Sequence, residues 1–156
     1  MLTVLALSSL RGATVQEKMT TNSDSRNIAI QMAESALRDA EEKLKLSPNA
    51  VSVASASAGN VSGVTCLINK VSGYDFASET TWQSSNPSPC TFSGGLKNSV
   101  KAPLYFVEFF YAAPVVDMSD PLRLRTCFYR ISARGYGVKE SNSVTLQSTY
   151  RFTNCS

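Results

Sequence analysis

The most reactive side chains in this sequence are four cysteines, Cys66, Cys90, Cys127 and Cys155. A thiol can bind a metal, attack a substrate or close a disulfide. None of the four lies in a CxxC, and their wide separations match no zinc ribbon. The sequence has no histidine. That excludes Ser-His-Asp and Cys-His machinery, imidazole acid–base work and His-ligated zinc together. Serine and threonine are abundant, but no base is available to activate one. Neither GxxxxGK[ST] nor GxGxxG occurs, so no phosphate cradle is signalled. An even, well-spread cysteine set therefore reads as two disulfides made in an oxidising compartment. No enzymatic activity and no cofactor are expected.

Other polar groups carry weaker chemistry. Asp117 and Asp120 in Asp-Met-Ser-Asp fall short of the six to eight oxygens calcium takes. Arg130, Arg134 and Arg151 fall on one face of the C-terminal strands, where they could meet nucleic-acid phosphates. The net charge of +3 is too small to imply nucleic acid by itself. The arginines read instead as a solvated face, and DNA is not an expected partner. With 43% hydrophobic and 17% charged residues, the 156-residue chain can bury one core.

These groups must be positioned by a few elements. Residues 1–46 contain Gly12 and no proline. Ile30, Ala33, Leu37, Ala40 and Leu44 recur at three- and four-residue steps, the stripe of an amphipathic helix. Ser47-Pro48-Asn49 ends it. A helix over 1–46 would be about 65–70 Å long at 1.5 Å per residue, so part of it must protrude. Only residues 25–46 are expected to share a domain with residues 47–156. The first ten residues, MLTVLALSSL, are almost wholly apolar but too few to span a bilayer, which takes about 20. They lack the features of a secretory signal and read as the inner end of a longer apolar helix, with Arg11 marking the exit from the apolar zone. Leu5, Leu7, Leu10, Val15 and Met19 are candidates for contacts outside the domain. Glu17 fits either an inter-helix polar contact or a solvated position.

Residues 50–64 are rich in Ala, Ser and Gly and read as loop. Residues 70–99 hold many turn formers and suit an irregular excursion pinned by a Cys66–Cys90 bridge. Pro103 to Tyr111 is β-branched and aromatic, and Ala113-Pro114 stops that strand. Residues 122–136 and 144–152 alternate. Pairing Gly137 with Val144 would set Tyr129 opposite Phe152 and Ile131 opposite Tyr150, with Cys127 beside Asn154. Proximity then favours a Cys127–Cys155 bridge, although strand alternation turns Cys155 off the Cys127 face. The expected fold is α+β: a long N-terminal helix packed on a C-terminal antiparallel sheet, with a loop-rich middle. The helix stripe should pack on Tyr129, Ile131, Leu146 and Tyr150.

The series Gln16-Glu17-Lys18-Met19, Asn22, Arg26, Ala29 and Ala33-Glu34-Ser35-Ala36-Leu37-Arg38-Asp39-Ala40-Glu41 resembles the N-terminal module of PilX-type minor pilins of type IV pili. Tyr129 to Gly137, followed by a Leu-Gln-Ser strand, is similar to that family's final hairpin. The resemblance implies a pilin-like fold and a minor pilin of a Gram-negative bacterium. Such a subunit is held in the inner membrane by its complete helix, displayed in the periplasm, and then carried in the extracellular pilus. It joins other minor pilins and the major pilin in a complex that primes assembly and sits at the fibre tip, often with a large adhesin. The prepilin leader and the cleavage junction of that family do not occur in this sequence. Two other functions suit the same residues: a pseudopilin of a type II secretion system, and a secreted adhesin or binding module acting through the 70–99 and 112–121 loops.

Overall fold

The computed structural model describes residues 2–46, 67–69, 74–84, 88–94, 98–113 and 126–153. Helix α1 runs unbroken over Leu2–Leu46. Its last turn carries Lys43 and Lys45, which suit the negative end of the helix dipole. Along residues 12–24 the side chains are exposed all round. Burial begins at Ser25 and continues through Ala29, Met32, Ala33, Ala36, Ala40 and Leu44.

The buried line is displaced by a few tens of degrees from the expected stripe. Ile30 and Leu37 are half-buried flanks, while Ala29 and Ala36 sit at the centre. Small residues take the centre because the helix backbone lies almost on the sheet. Ile30 and Leu37 are pushed to the edges, where Leu37 still packs on the core, while Met32 and Leu44 stay buried.

The sheet is built from β1 (Leu67–Asn69), β2 (Cys90–Thr91), β3 (Leu104–Ala113), β4 (Thr126–Tyr136) and β5 (Ser143–Thr153), with α2 (Glu79–Ser84) between β1 and β2. Its order is β1-β3-β4-β5, and β2 pairs with the same edge of β3 as β1. All ladders are antiparallel except β1–β3. The parallel β1 and the short α2 were not legible as elements in the 50–99 stretch. Both are brief, and neither has enough alternation to announce itself.

The β4–β5 register differs from the expected one by two residues. Gly135 pairs with Val144, Tyr129 with Tyr150 and Cys127 with Phe152. The reason is a shorter connection: Asn142 N–H donates to Lys139 O at 3.0 Å, and Gly137 N–H donates to Asn142 O at 2.8 Å. A shift of two keeps every side chain on its face, so the face assignment survives.

Two cores result. On the helix side, Ala36, Ala40 and Leu44 meet Tyr105, Val107, Cys127, Tyr129, Ile131 and Ala133, with Tyr150 packed at the margin. Leu146 is half-buried. On the opposite side, Phe76 and Trp82 cover Phe106, with ring centroids 5.3–5.8 Å apart. Trp82 Nε1 donates to Phe76 O at 3.0 Å, which satisfies the one polar atom of the buried indole.

Candidate functional site: the helix–hairpin junction

The free and packed halves of α1 meet at Ser25, beside the β4–β5 hairpin. Two glycines make this crossing possible. A Cβ on Gly135 would lie 2.0 Å from Ala29 O and 2.5 Å from Ala33 N, and one on Gly137 would lie 2.3 Å from Ser25 O. Glycine within a strand often marks such a backbone approach, and the pair flanking Tyr136 was the available signal. Ser25 is buried, and its Oγ accepts hydrogen bonds from Val138 N–H at 3.1 Å and Asn142 Nδ2 at 2.9 Å. Asn142 Nδ2 also donates to Asn22 Oδ1 at 3.2 Å. The hairpin is thereby tied to the point where burial of the helix begins.

Before the tie the described side chains of the helix are exposed. Residues Thr20–Ser25 are weak helix formers as a run. Thr20 and Thr21 turn their hydroxyls back onto Gln16 O and Glu17 O, at 3.0 and 2.9 Å. Val15 is 53% exposed and Met19 69%. Glu17 is exposed. The side chains of Leu5, Leu7 and Leu10 lie outside the described residues, although the backbone there is helical. An open groove of about 600 Å³ separates this part of α1 from the hairpin, lined by Thr14, Glu17, Lys18 and Thr21 on one wall and Val138, Lys139 and Ser141 on the other. No helix among the described residues is long and apolar enough to cross a membrane.

The arginine face differs from the solvated surface expected of it. Arg130 holds the buried Glu108 through Nε at 2.8 Å and Nη2 at 2.5 Å. Arg134 is itself buried, bonded to Glu79 and to Ser143 Oγ and lying over the rings of Trp82 and Tyr136. Arg130 meets Glu108 as its cross-strand neighbour, α2 closes over Arg134 with Trp82 and Glu79, and Arg151 remains exposed. At the far end of α1, Lys43 bonds Asp39 at 2.6 Å and Tyr105 Oη at 2.8 Å. Burial works against the Lys43 charge, but these two hydrogen bonds outweigh it and raise its pKa. Burial pushes the Tyr129 phenol up to about 12, and its Oη has no hydrogen-bond partner.

Cys90 and Cys127 are both disulfide-bonded. Cys66, Cys155, Asp117 and Asp120 lie outside the described residues. Among the described residues no group of acidic or thiol side chains could hold a metal.

The model of one family, type IV pilus assembly protein PilX C-terminal region, matches residues 21–152. The chain belongs to that family. Neither a curated protein nor a solved structure matches it. Membership makes the chain a minor-pilin structural subunit of the type IV pilus assembly class, working with other pilus components at the cell envelope. The PilX match begins at the polar turn just before Ser25, where α1 starts to pack. It runs through the final hairpin, including Gly135, Gly137 and Asn142. Sequence reasoning found the long helix and the hairpin but passed over Ser25 and Asn142, because single polar residues near a turn look like ordinary surface.

Proposed function

We propose that this chain primes type IV pilus assembly with other minor pilins and the major pilin, and then resides in or at the tip of the fibre, where a large adhesin can join it. The free half of α1 is its assembly element. The observation that carries this reading is the solvent exposure of residues 12–24 on every side, with Val15 and Met19 bare, in continuity with the apolar run that precedes them. Apolar area left in water costs about 25 cal/mol per Å². Leu5, Leu7, Leu10, Val15 and Met19 therefore seek lipid or the helices of other pilins, with Glu17 as a polar contact among them. Before assembly the complete helix would hold the subunit in the inner membrane, with the domain in the periplasm.

The domain proper comprises residues 25–46 and 47–156. Thr21-Asn22-Ser23-Asp24 has the spacing of a capping box, so the helix can start cleanly there without its first 20 residues. We assign the bridges as Cys66–Cys90 and Cys127–Cys155. Cys90 pairs with Tyr105 while Leu67, one residue after Cys66, pairs with Val107 on the same edge of β3. Cys127 pairs with Phe152, three residues before Cys155. Oxidation in the periplasm would close both.

The test is made in cells carrying the complete gene. Asp at Leu7, Leu10 or Val15 should abolish surface pili or sharply lower their number, while the oxidised domain is still made. Normal piliation and pilus-dependent behaviour in all three variants would overturn the assembly reading.

A further inference from the structure

The two edges of the sheet are unlike. On one, β1 and β2 are three and two residues long, the short form that protects an edge. On the other, β5 runs 11 residues in unbroken register with β4, and among the described residues no strand lies beyond it. It holds no proline, no glycine and no bulge, and Arg151 is its one charge. Its outer row of backbone N–H and C=O groups is therefore a template for another strand.

The faces of β5 define which strand fits. Leu146, Ser148 and Tyr150 lie half-buried on the helix side, with Ser148 Oγ donating to Glu41 Oε1 at 3.1 Å. Gln147, Thr149 and Arg151 are exposed on the other side. The Ser148 bond puts Glu41 on the flank of α1 above the free edge. Ile30 and Leu37, eleven and four residues before it, share that flank and are half-buried. An added strand thus needs apolar residues toward the helix, polar ones away from it, and no cation opposite Arg151. β5 itself meets these demands. Turned about a two-fold axis at Ser148, it sets Leu146 against Tyr150, Gln147 against Thr149 and Thr145 against Arg151. Apolar residues meet apolar ones, polar meet polar, and the single charge never meets itself. The pair would close about ten to twelve backbone hydrogen bonds, close to the ten or so of a typical interface. The strand is about 37 Å long. With the helix flank, the two copies would cover on the order of 1,000 Å² in total, the threshold for a specific contact.

We propose that β5 pairs antiparallel with β5 of a second copy of this chain, about a two-fold axis at Ser148. The axis turns the two α1 helices in opposite directions, so copies whose helices enter one membrane cannot make this contact. It joins copies held on separate fibres or surfaces, apart from the contacts proposed for the free half of α1.

The test is sedimentation equilibrium of the whole 156-residue chain, with a mild detergent over the apolar helix end. Salt at about 0.15 M screens the two Glu41 carboxylates near the axis. The unaltered chain should pass from monomer to dimer as its concentration rises. Gln147→Lys/Thr149→Lys sets lysine against lysine on both sides of the axis and should weaken the dimer about ten-fold or more. Gln147→Glu/Thr149→Lys sets glutamate against lysine instead and should stay within about three-fold of the unaltered affinity. Both variants lose the hydrogen bond from Gln147 to Ser132, so they differ only in the charge at position 147. A monomer at every concentration would overturn the pairing. So would a dimer that Gln147→Lys/Thr149→Lys leaves unchanged, since it would rest on another surface such as the free half of α1. Equal weakening in both variants would overturn the Ser148 axis and the proposal with it.

Discussion

Residues 12–24 and 25–45 belong to one helix but are stable for different reasons. In the second stretch Ala29, Ala33, Ala36 and Ala40 lie against the sheet, so packing holds the helix whatever its intrinsic propensity. In the first stretch the side chains are exposed, Asn22 is bonded to Asn142, and the run Thr20–Ser25 has poor propensity. The difference teaches that a continuous helix need not be a uniform element. One half is packed against the sheet, and the other is exposed on every side.

The comparison breaks most severely at Gly135. Gly135→Ala places a methyl group against the backbone of Ala29 and Ala33, neither of which can step aside without lifting the helix. A loss of about 3 kcal/mol or more is expected in a denaturant melt. A loss under 1 kcal/mol would mean that the close crossing is not needed. Leu44→Ala, at a fully packed position, should cost about 2–4 kcal/mol.

Tyr129 tests the packed half by pH. Its phenol is raised by burial to about 12, from 10.0. Above pH 10 the unfolded chain ionises this group and the folded chain does not, so its share of stability is full below pH 10 and is lost as pH rises toward 12. That share is about 3 kcal/mol at most. Tyr129→Phe should flatten the alkaline loss while changing stability at pH 7 by less than about 1 kcal/mol, since its hydroxyl has no partner to lose. An unchanged alkaline profile in the variant would place the phenol in water.

Leu37→Ala sharpens the boundary between flank and centre. From the sequence stripe alone a cost of about 2–5 kcal/mol would follow. Its half-buried place at the edge of the core lowers the expectation to about 1–2 kcal/mol in the same melt. The smallest effect belongs to the free half: Val15→Ser and Met19→Ser should each move stability by less than about 0.5 kcal/mol. A larger effect would show that residues 12–24 are part of the domain after all.

Local pattern by itself determined a good deal of this protein. The long helix, its stop before Pro48, the three long strands and the side of the sheet that meets the helix all follow from period-3.6 and period-2 spacing. These signals lie within one element and need no knowledge of its neighbours. Family membership was legible from the α1 series and the final hairpin, although the model that matches is that of the family's C-terminal region and begins at residue 21. Tertiary structure decided what depends on two distant segments at once. The hairpin register was set by a turn closing at Lys139–Asn142, two residues from where alternation alone would place it. The centre of the helix stripe moved from Leu37 to the alanines because Gly135 and Gly137 let the backbones touch. Arg134 is buried because Trp82 and Glu79, from a short helix that shows no periodicity, close over it. Backbone approach and ion pairing between remote segments leave little trace in local spacing, so only the folded chain brings them together.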